Sequence, residues 1–176
     1  MTSNQARPAA SEASIIAAVL EKEVLAKIEC CYQRAEVQLQ RTFPRPTINF
    51  NQRGKIAGSA RLQVNELRFN KVLLLENHQH FIFQTVPHEV AHLIVHHLYG
   101  RTKPHGREWQ YIMIKIFELA AKTTHQYDIG SVKGETFTYA CQCREHQLTV
   151  YRHNKIVRNK AGYLCRYCKQ ALVAKN

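Results

Sequence analysis

The sequence predicts an α+β fold with a small C-terminal module, on three observations. Apolar residues recur at three- and four-residue steps over residues 11–40, which predicts one long amphipathic helix. Short apolar or alternating stretches at residues 47–50, 56–62 and 66–70 predict three strands, and further helical segments follow them. Near the C-terminus, two cysteine pairs lie about twenty residues apart without a long apolar period between them, which predicts a separate metal-binding module.

The N-terminal helix is predicted from its ends as well as its periodicity. Ser11 can cap it, and Pro44 and Pro46 push the chain into extended structure after it. Cys30 and Cys31 lie inside the pattern, and we expect them to be small hydrophobic residues on or near the buried face. The apolar positions are Ile15, Ile16, Val19, Leu20, Val24, Leu25, Ile28, Cys31, Ala35 and Leu39.

Three later helices are predicted before the long apolar periodicity of the sequence ends. A short one covers residues 72–76, and a strong one begins at Thr85, its expected N-cap, and continues to about His97 before Gly100 stops it. The third covers about residues 106–122. We place the domain boundary near residues 130–135, which gives a core at residues 1–134 and a second module at residues 135–176.

The charge balance predicts a polyanionic partner. The chain carries 25 Lys and Arg against 13 Asp and Glu, a formal net charge of +12, and the sequence pI is about 9.6. Residues 135–176 hold eight basic and two acidic side chains, interleaved with four tyrosines that packing inside the module would also explain. Basic groups hold phosphates and aromatic rings stack on unpaired bases, so we expect DNA, single- or double-stranded, as a partner.

The sequence also predicts a cytoplasmic, monomeric protein. Residues 1–10 lack the apolar core of a signal peptide, and no apolar run approaches the roughly 18 residues that a membrane span needs. We therefore expect no membrane partner. In a reducing compartment the six cysteines are better explained as metal ligands or buried thiols than as disulfides.

The segment His88-Glu89-Val90-Ala91-His92 carries the chemistry of a zinc hydrolase. Residues four apart lie one turn apart on the same helix face, so both imidazoles can bind one cation. Glu89 is then the general base that takes a proton from the attacking water. The competing interpretation is a pair of hydrogen-bonded structural histidines, but the apolar surroundings favour a metal as the partner of two buried imidazoles.

A catalytic zinc usually takes a third protein ligand, and His105 is the best candidate for it. His96 continues the same helix face but lies two turns, about 12 Å, from His88, and His97 points about 100° away from that face. His105 follows the Gly100 stop and a proline turn, so the chain can fold back and deliver it from outside the helix. The remaining histidines with no comparable spacing, expected at the surface, are His78, His80 and His125.

The C-terminal cysteines predict a structural zinc site. The first pair has one intervening residue and the second has the usual two, as in a zinc ribbon. His146 is close enough in sequence to replace Cys143, although an all-cysteine set is preferred because all four thiols are present. A module of this size has little core, so the metal would contribute directly to its folding. The predicted ligands are Cys141, Cys143, Cys165 and Cys168.

The HEVAH segment, with HGREW beginning at His105, resembles the SprT/Spartan family of zinc metallopeptidase-like proteins, and most closely its small bacterial SprT members. The resemblance covers residues 15–172. It implies that His88, His92 and His105 are the zinc ligands and that Glu89 is catalytic. It also implies a minigluzincin-like peptidase core and, because eukaryotic relatives cleave proteins crosslinked to DNA, a role in DNA–protein crosslink repair.

The sequence therefore predicts a zinc metallopeptidase with one catalytic and one structural Zn²⁺, acting on protein substrates that are associated with or crosslinked to DNA. The alternative is a DNA-binding zinc-ribbon protein whose peptidase-like core is weak or inactive. A third interpretation is a regulator or scaffold in which both zinc ions are structural.

Overall fold

The computed structural model describes residues 12–175 and divides into two compact units, with the division between Val132 and Lys133. The Ser11 cap and residues 1–10, on which the expectation about a signal peptide rests, lie outside the described residues. The units combine helices with small sheets, so the α+β class is confirmed. Within residues 12–175 no helix is long and apolar enough to span a bilayer.

The first unit begins with helix α1, Glu12–Leu39. Its buried face is narrower than the sequence predicted, because four of the predicted apolar positions lie exposed: Ile15, Ile16, Val19 and Leu25. Cys31 is buried and Cys30 is exposed. The buried positions of the helix are Ala17, Leu20, Val24, Ile28, Cys31, Tyr32 and Ala35.

A three-stranded sheet follows, close to the positions that alternation predicted. Its strands are β1 (Thr47–Asn49), β2 (Gly58–Arg61) and β3 (Glu66–Phe69), in the order β1-β3-β2. β1 is parallel to β3, with Ile48 opposite Leu67, and β2 is antiparallel to β3, with Ala60 opposite Leu67. β2 is therefore an edge strand, and it packs against the helix that carries the HEVAH segment.

Two short helices lead into the HEVAH helix. The buried Asn70 caps α2 (Lys71–Glu76) by accepting hydrogen bonds from the backbone N–H groups of Val72 and Leu73. Helix α3 (His78–His80) then runs through a wide π-helical turn, Phe81–Thr85, into α4 (Val86–Tyr99).

The predicted N-cap at Thr85 is wrong, because the chain is already helical there. Thr85 has φ −68° and ψ −42°, and its side chain makes no capping bond. Its hydroxyl instead lies 2.7 Å from the Tyr127 hydroxyl. The other end is as predicted: Gly100 has a positive φ of 69°, and its N–H bonds the carbonyl of His96.

The last helix of the first unit is shorter than predicted. α5 (Arg107–Tyr111) continues through a second π-helical turn, Ile112–Ile116, and ends there instead of at Lys122. Glu118 has a positive φ of 56°, which turns the chain away from the helix axis. The chain that follows returns to the N-terminal end of α4.

A single apolar cluster joins these elements. Trp109, Ile112 and Met113 from the last helix pack with buried residues of α1, the sheet and α4. α4 contributes the most deeply buried stretch, in which five apolar residues are at most 4% exposed: Val90, Ala91, Leu93, Ile94 and Val95. The histidine-bearing helix is thus fixed on several sides by the core.

The second unit is a small antiparallel sheet with one helix. Strands β4 (Thr136–Ala140), β5 (Glu145–Thr149) and β6 (Val173–Ala174) have the order β5-β4-β6. Helix α6 (Val150–Val157) follows β5 directly and was not predicted from the sequence. The buried apolar residues of this unit, within residues 133–175, are Tyr139, Leu148 and Cys165. They form a small core for a folding unit.

Candidate metal centres

Three imidazoles meet at one end of the core of the first unit. The Nε2 atom of His88 lies 3.1 Å from that of His92 and 3.0 Å from that of His105, and the remaining pair is 3.2 Å apart. His88 and His92 share one face of α4, and His105 arrives from the loop that precedes α5. The structure therefore brings together the three histidines that the sequence singled out.

This triangle of nitrogens fits a zinc ion. Ligands about 2.0–2.1 Å from a tetrahedral zinc are about 3.3 Å from one another, close to the observed separations. Three converging imidazole nitrogens also form a poor hydrogen-bonded cluster, because each neutral ring has one donor and one acceptor and all three acceptors cannot be satisfied at a single point. A cation resolves this, and three histidines leave a fourth position open.

Electrostatics keep the three rings neutral, which is the form that binds metal. Burial lowers the pKa of His88 to about 4 and that of His92 to about 3, and in both cases neighbouring histidines act in the same direction. Burial also lowers the pKa of His105. All three are therefore unprotonated at neutral pH, with their lone pairs free to coordinate.

His105 is held by a strained turn. The N–H of Gly106 bonds the carbonyl of Lys103 at 2.9 Å, with Pro104 and His105 at the turn's central positions. His105 has a φ of 56°, a left-handed conformation that glycine or asparagine adopts at lower cost. A Cβ at Gly106 would lie 2.9 Å from the Lys103 carbonyl, so this glycine is needed for the turn to close.

Trp109 packs against the three histidine rings. Its ring centroid lies 4.7 Å from those of His88 and His105 and 5.7 Å from that of His92. Its Nε1–H donates to the backbone carbonyl of His88 at 3.3 Å. This side chain, 1% exposed, fixes the ring orientations from one side. In the sequence, the only indication of this role is the position of Trp109 four residues after His105.

The other ring nitrogen of His88 is fixed from a distant part of the chain. Its Nδ1 lies 3.2 Å from the carbonyl oxygen of Lys122. A carbonyl only accepts, so Nδ1 carries the proton and Nε2 is left free to bind a metal. No local pattern signals this contact, because it depends on the chain leaving its helix at Ile116 and returning.

Glu89 follows His88 in α4, beside the triad formed by His88, His92 and His105. It is almost completely buried, with 8% of the residue exposed. Burial raises the pKa of its carboxyl to about 8, against the lowering effect of a hydrogen bond from the backbone N–H of Ala60. A cation on the neighbouring imidazoles would favour the ionised form. A buried carboxylate held by one backbone bond is a suitable proton acceptor.

Gly58 makes room for this carboxylate. A Cβ built on Gly58 would lie 2.8 Å from Cγ and 3.1 Å from Oε1 of Glu89. The edge strand β2 therefore approaches Glu89 more closely than any side chain at this position would permit. From the sequence, Gly58 was visible only as a glycine inside a predicted strand.

Two cavities adjoin the histidine cluster, one at His88 and the other at His92. One, of about 380 Å³, is lined by His88 and Glu89 together with Lys55, Lys122 and His125. The other is lined by His92, Trp109 and Gln63 and by the loop residues Arg101 and Lys103.

The remaining histidines lie outside the cluster. His78 and His80 are exposed, as expected. His96 and His97 take no part in it and bond Gly100 and Asn65 instead. His125 was expected at the surface, but it is half-buried and lines the first cavity.

The second unit brings the four predicted cysteines together. Their sulfur atoms all lie within 4.8 Å of one another, with Cys141 3.4 Å from Cys143 and Cys143 3.6 Å from Cys165. None of the cysteines in residues 12–175 is in a disulfide. Sulfurs about 2.3 Å from a tetrahedral zinc are about 3.8 Å apart, so the set can hold one zinc with no open position. His146 Nε2 lies 3.3 Å from the Cys141 sulfur.

Comparison with known proteins identifies relatives of both units. Residues 28–125 match the SprT-like family, and residues 135–176 match the SprT-like zinc ribbon domain. Protein SprT of Actinobacillus succinogenes is 53% identical over 87% of this chain and 90% of its own length. Protein SprT of Shewanella oneidensis is 50% identical over 85% of this chain and 96% of its own length. No solved structure matches the chain. The resemblance inferred from HEVAH and HGREW is confirmed, and the chain belongs to the SprT-like family.

Proposed function

We propose that this chain is a zinc-dependent metallopeptidase with a minigluzincin-like core, which acts on proteins associated with or crosslinked to DNA. The observation that carries the proposal is the set of three Nε2 atoms 3.0–3.2 Å apart, with the buried Glu89 lining the same cavity as His88. A closed structural site would not need an open fourth position or a carboxylate beside it. The cavities at His88 and at His92 supply room for parts of a substrate beside the cluster.

The chain's own residues have distinct roles in peptide hydrolysis. When bound by the three histidines, zinc would act as a Lewis acid that polarises the substrate carbonyl and makes water more acidic. Glu89 takes one proton from the attacking water while the water oxygen bonds the carbonyl carbon. The carbon–nitrogen bond then breaks, and the proton passes from Glu89 to the leaving amine nitrogen. Throughout, the backbone carbonyl of Lys122 fixes the ring of His88, and Trp109 packs against the imidazole rings.

The experiment that tests this function compares the wild type with Glu89→Gln. Both proteins are assayed for cleavage of fluorescein-labelled casein and of histone H1, with and without single-stranded DNA, after their zinc content has been matched. We expect the wild type to cleave at least one of these proteins and Glu89→Gln to be slower by about 10²-fold or more, since a general base contributes roughly 10²–10⁴-fold. The matched control is Glu108→Gln, which removes a carboxylate of α5 that lies outside the triad. This variant should retain activity.

Two results would contradict the proposal. One is a Glu89→Gln protein that cleaves as fast as the wild type. The other is a zinc-loaded wild type that cleaves neither protein with or without DNA, and this result supports the alternative function described next.

The second candidate function is a DNA-binding zinc-ribbon protein with a weak or inactive peptidase-like core. It is favoured by aromatic and cationic side chains on the surface of the second unit. The Arg144 guanidinium lies 3.7 Å from the ring of Tyr167, which is 72% exposed, and the Lys155 ammonium lies 4.7 Å from the ring of Tyr151, which is 67% exposed. Such pairs offer both phosphate contacts and stacking platforms.

DNA binding is tested by the salt dependence of affinity. For single- and double-stranded oligonucleotides, we expect the logarithm of the association constant to fall linearly with the logarithm of salt concentration. Replacing Arg144 and Lys155 by Gln should reduce the slope by about one to two, since each phosphate contact contributes about 0.7–0.9. Replacing Lys22 and Lys27 of α1 by Gln is the control with the same change of charge. A slope near zero, or equal slopes for the two double variants, would contradict the assignment.

A further inference from the structure

One histidine at the edge of the candidate active site belongs to no motif or ligand spacing in the sequence. His125 lines the same cavity as His88 and Glu89. It is three residues beyond Lys122, whose carbonyl fixes the ring of His88. The chain segment at residues 122–127 therefore both orients a predicted ligand and presents a second imidazole to the space beside it.

The tautomer of His125 follows from its backbone contact. The N–H of Tyr127 donates a hydrogen bond to Nδ1 of His125 at 3.4 Å. A ring nitrogen that accepts a hydrogen bond carries no proton, so the neutral ring carries its proton on Nε2. Among residues 12–175, no group takes a hydrogen bond from this Nε2. His125, a residue that lines the cavity, is therefore left with an unused N–H donor on its ring.

The orientation of the ring is fixed as well. The His125 ring stacks on Tyr127 with centroids 4.3 Å apart and planes 21° apart. Tyr127 itself stacks on the buried Phe81, and its hydroxyl lies 2.7 Å from Thr85 Oγ1 and 3.1 Å from His80 Nδ1. A donor on this support is pre-organised, whereas the exposed lysines that line the cavity would have to be ordered when substrate binds.

We propose that His125 is a further catalytic residue, whose Nε2–H donates a hydrogen bond to the oxygen of the scissile carbonyl as negative charge develops on that oxygen. The proposal rests on the proposed peptidase function. In the bound substrate that carbonyl has to lie beside His88 and Glu89, in the cavity that His125 also lines. A hydrogen-bond donor there stabilises the transition state more than the ground state, so its effect falls on kcat.

The kinetic test uses variants that separate the donor from the ring. His125→Phe keeps a flat ring against Tyr127 but removes the N–H, and His125→Gln restores a side-chain N–H donor. With the substrate that the wild type cleaves, and at equal zinc content, we expect His125→Phe to lower kcat by about 10²-fold with KM nearly unchanged. His125→Gln should recover part of that loss, and His78→Ala, an exposed histidine, should match the wild type.

A spectroscopic test is independent of activity. Long-range ¹H–¹⁵N spectra of the zinc-loaded protein at pH 8 report which ring nitrogen of each histidine is protonated, and His125 is assigned by its absence in His125→Phe. We expect the Nε2–H form.

Three results would overturn the proposal. These are an Nδ1–H form of His125, a His125→Phe protein with wild-type kcat, and a loss in His125→Phe that appears only in KM. Absence of cleavage by the zinc-loaded wild type would refute the proposed function and this inference with it. Wild-type cleavage together with full activity of His125→Phe would refute the inference alone.

Discussion

At the scale of single residues, the candidate active site depends on two backbone positions as much as on its polar side chains. His105 has φ 56° in a turn that a Cβ atom at position 106 would obstruct, and Gly58 leaves room for the Glu89 carboxylate. A histidine in the left-handed region is strained by about 1–2 kcal/mol. Such strain persists where the surrounding structure holds it and the residue has a task there. His105 has such a task, because the strained turn brings its Nε2 within 3.2 Å of the Nε2 atoms of His88 and His92.

The close approach at Gly58 makes a residue-scale prediction. In Gly58→Ala the new Cβ would overlap Glu89, so either β2 or the carboxylate must shift by several tenths of an ångström. We expect kcat for protein cleavage to fall by about 10-fold or more with zinc content unchanged, because the base loses its position while the three histidines keep theirs. Gly134→Ala, where nothing lies within 4 Å, is the control. Unaltered kcat in Gly58→Ala would show that the position of Glu89 does not depend on this glycine.

At the scale of secondary-structure elements, one arginine ties α1 to the strand that follows it. Arg45 bonds Glu29 at 2.8 Å and Glu36 at 2.6 Å, and its guanidinium lies 4.8 Å from the ring of the buried Tyr32. Glu36 also accepts a hydrogen bond from the backbone N–H of Phe43. This cluster fixes the turn between the long helix and β1, and so the position of the sheet relative to α1.

Arg45→Met should destabilise the first unit and reduce its sensitivity to acid. Hydrogen bonds from Arg45 and from the backbone of Phe43 lower the pKa of Glu36 to about 2, and Arg45 also lowers the pKa of Glu29. These carboxylates therefore stabilise the fold above their ordinary pKa near 4.5, and the contribution is lost as pH falls towards 2. Urea unfolding at pH 7 should show a loss of about 1 kcal/mol, since the partners are partly exposed.

The control for that change is Arg34→Met, which breaks a pair with the mostly exposed Glu118 and should have little effect. Below about pH 3, Arg45→Met and the wild type should differ less than at pH 7. A difference that stays constant from pH 7 to pH 3 would mean that the ion pairs contribute nothing and that Arg45 acts only by packing on Tyr32.

Elements with a local signal were predicted well, and those set by distant contacts were not. Short apolar or alternating stretches at residues 47–50, 56–62 and 66–70 predicted β1, β2 and β3, and burial alternates along β3. Thr85 has the composition of an N-cap, but its partner is Tyr127, 42 residues away. The end of the last helix at Ile116 likewise depends on the chain returning to α4, for which the sequence holds no local pattern.

The candidate site divides in the same way. Helical spacing places His88 and His92 on one face, and turn chemistry delivers His105, so the convergence of these three histidines was predictable. Lys122 acts through its backbone carbonyl, which any residue could provide, and His125 reaches the cavity only because of the fold. Neither contact leaves a mark in local sequence.

At the scale of the whole molecule, the chain combines two candidate metal centres that differ in their ligands and surroundings. The first holds three imidazoles in a large core, with a carboxylate and cavities beside them. The second holds four thiols in a unit whose described residues, 133–175, include three buried apolar side chains, so a metal bound there is expected to stabilise the fold. If the first unit is the catalytic one, activity must follow the occupancy of the histidine site and not that of the cysteine site.

The most direct test of this requirement is the cleavage rate of chelator-stripped protein as Zn²⁺ is restored in steps. We predict no cleavage before zinc is added, recovery as the histidine site of the wild type fills, and no recovery in His92→Ala at equal total zinc. Cleavage by the stripped wild type, or recovery in His92→Ala to the wild-type rate, would contradict the assignment of the His88–His92–His105 cluster as a catalytic zinc centre.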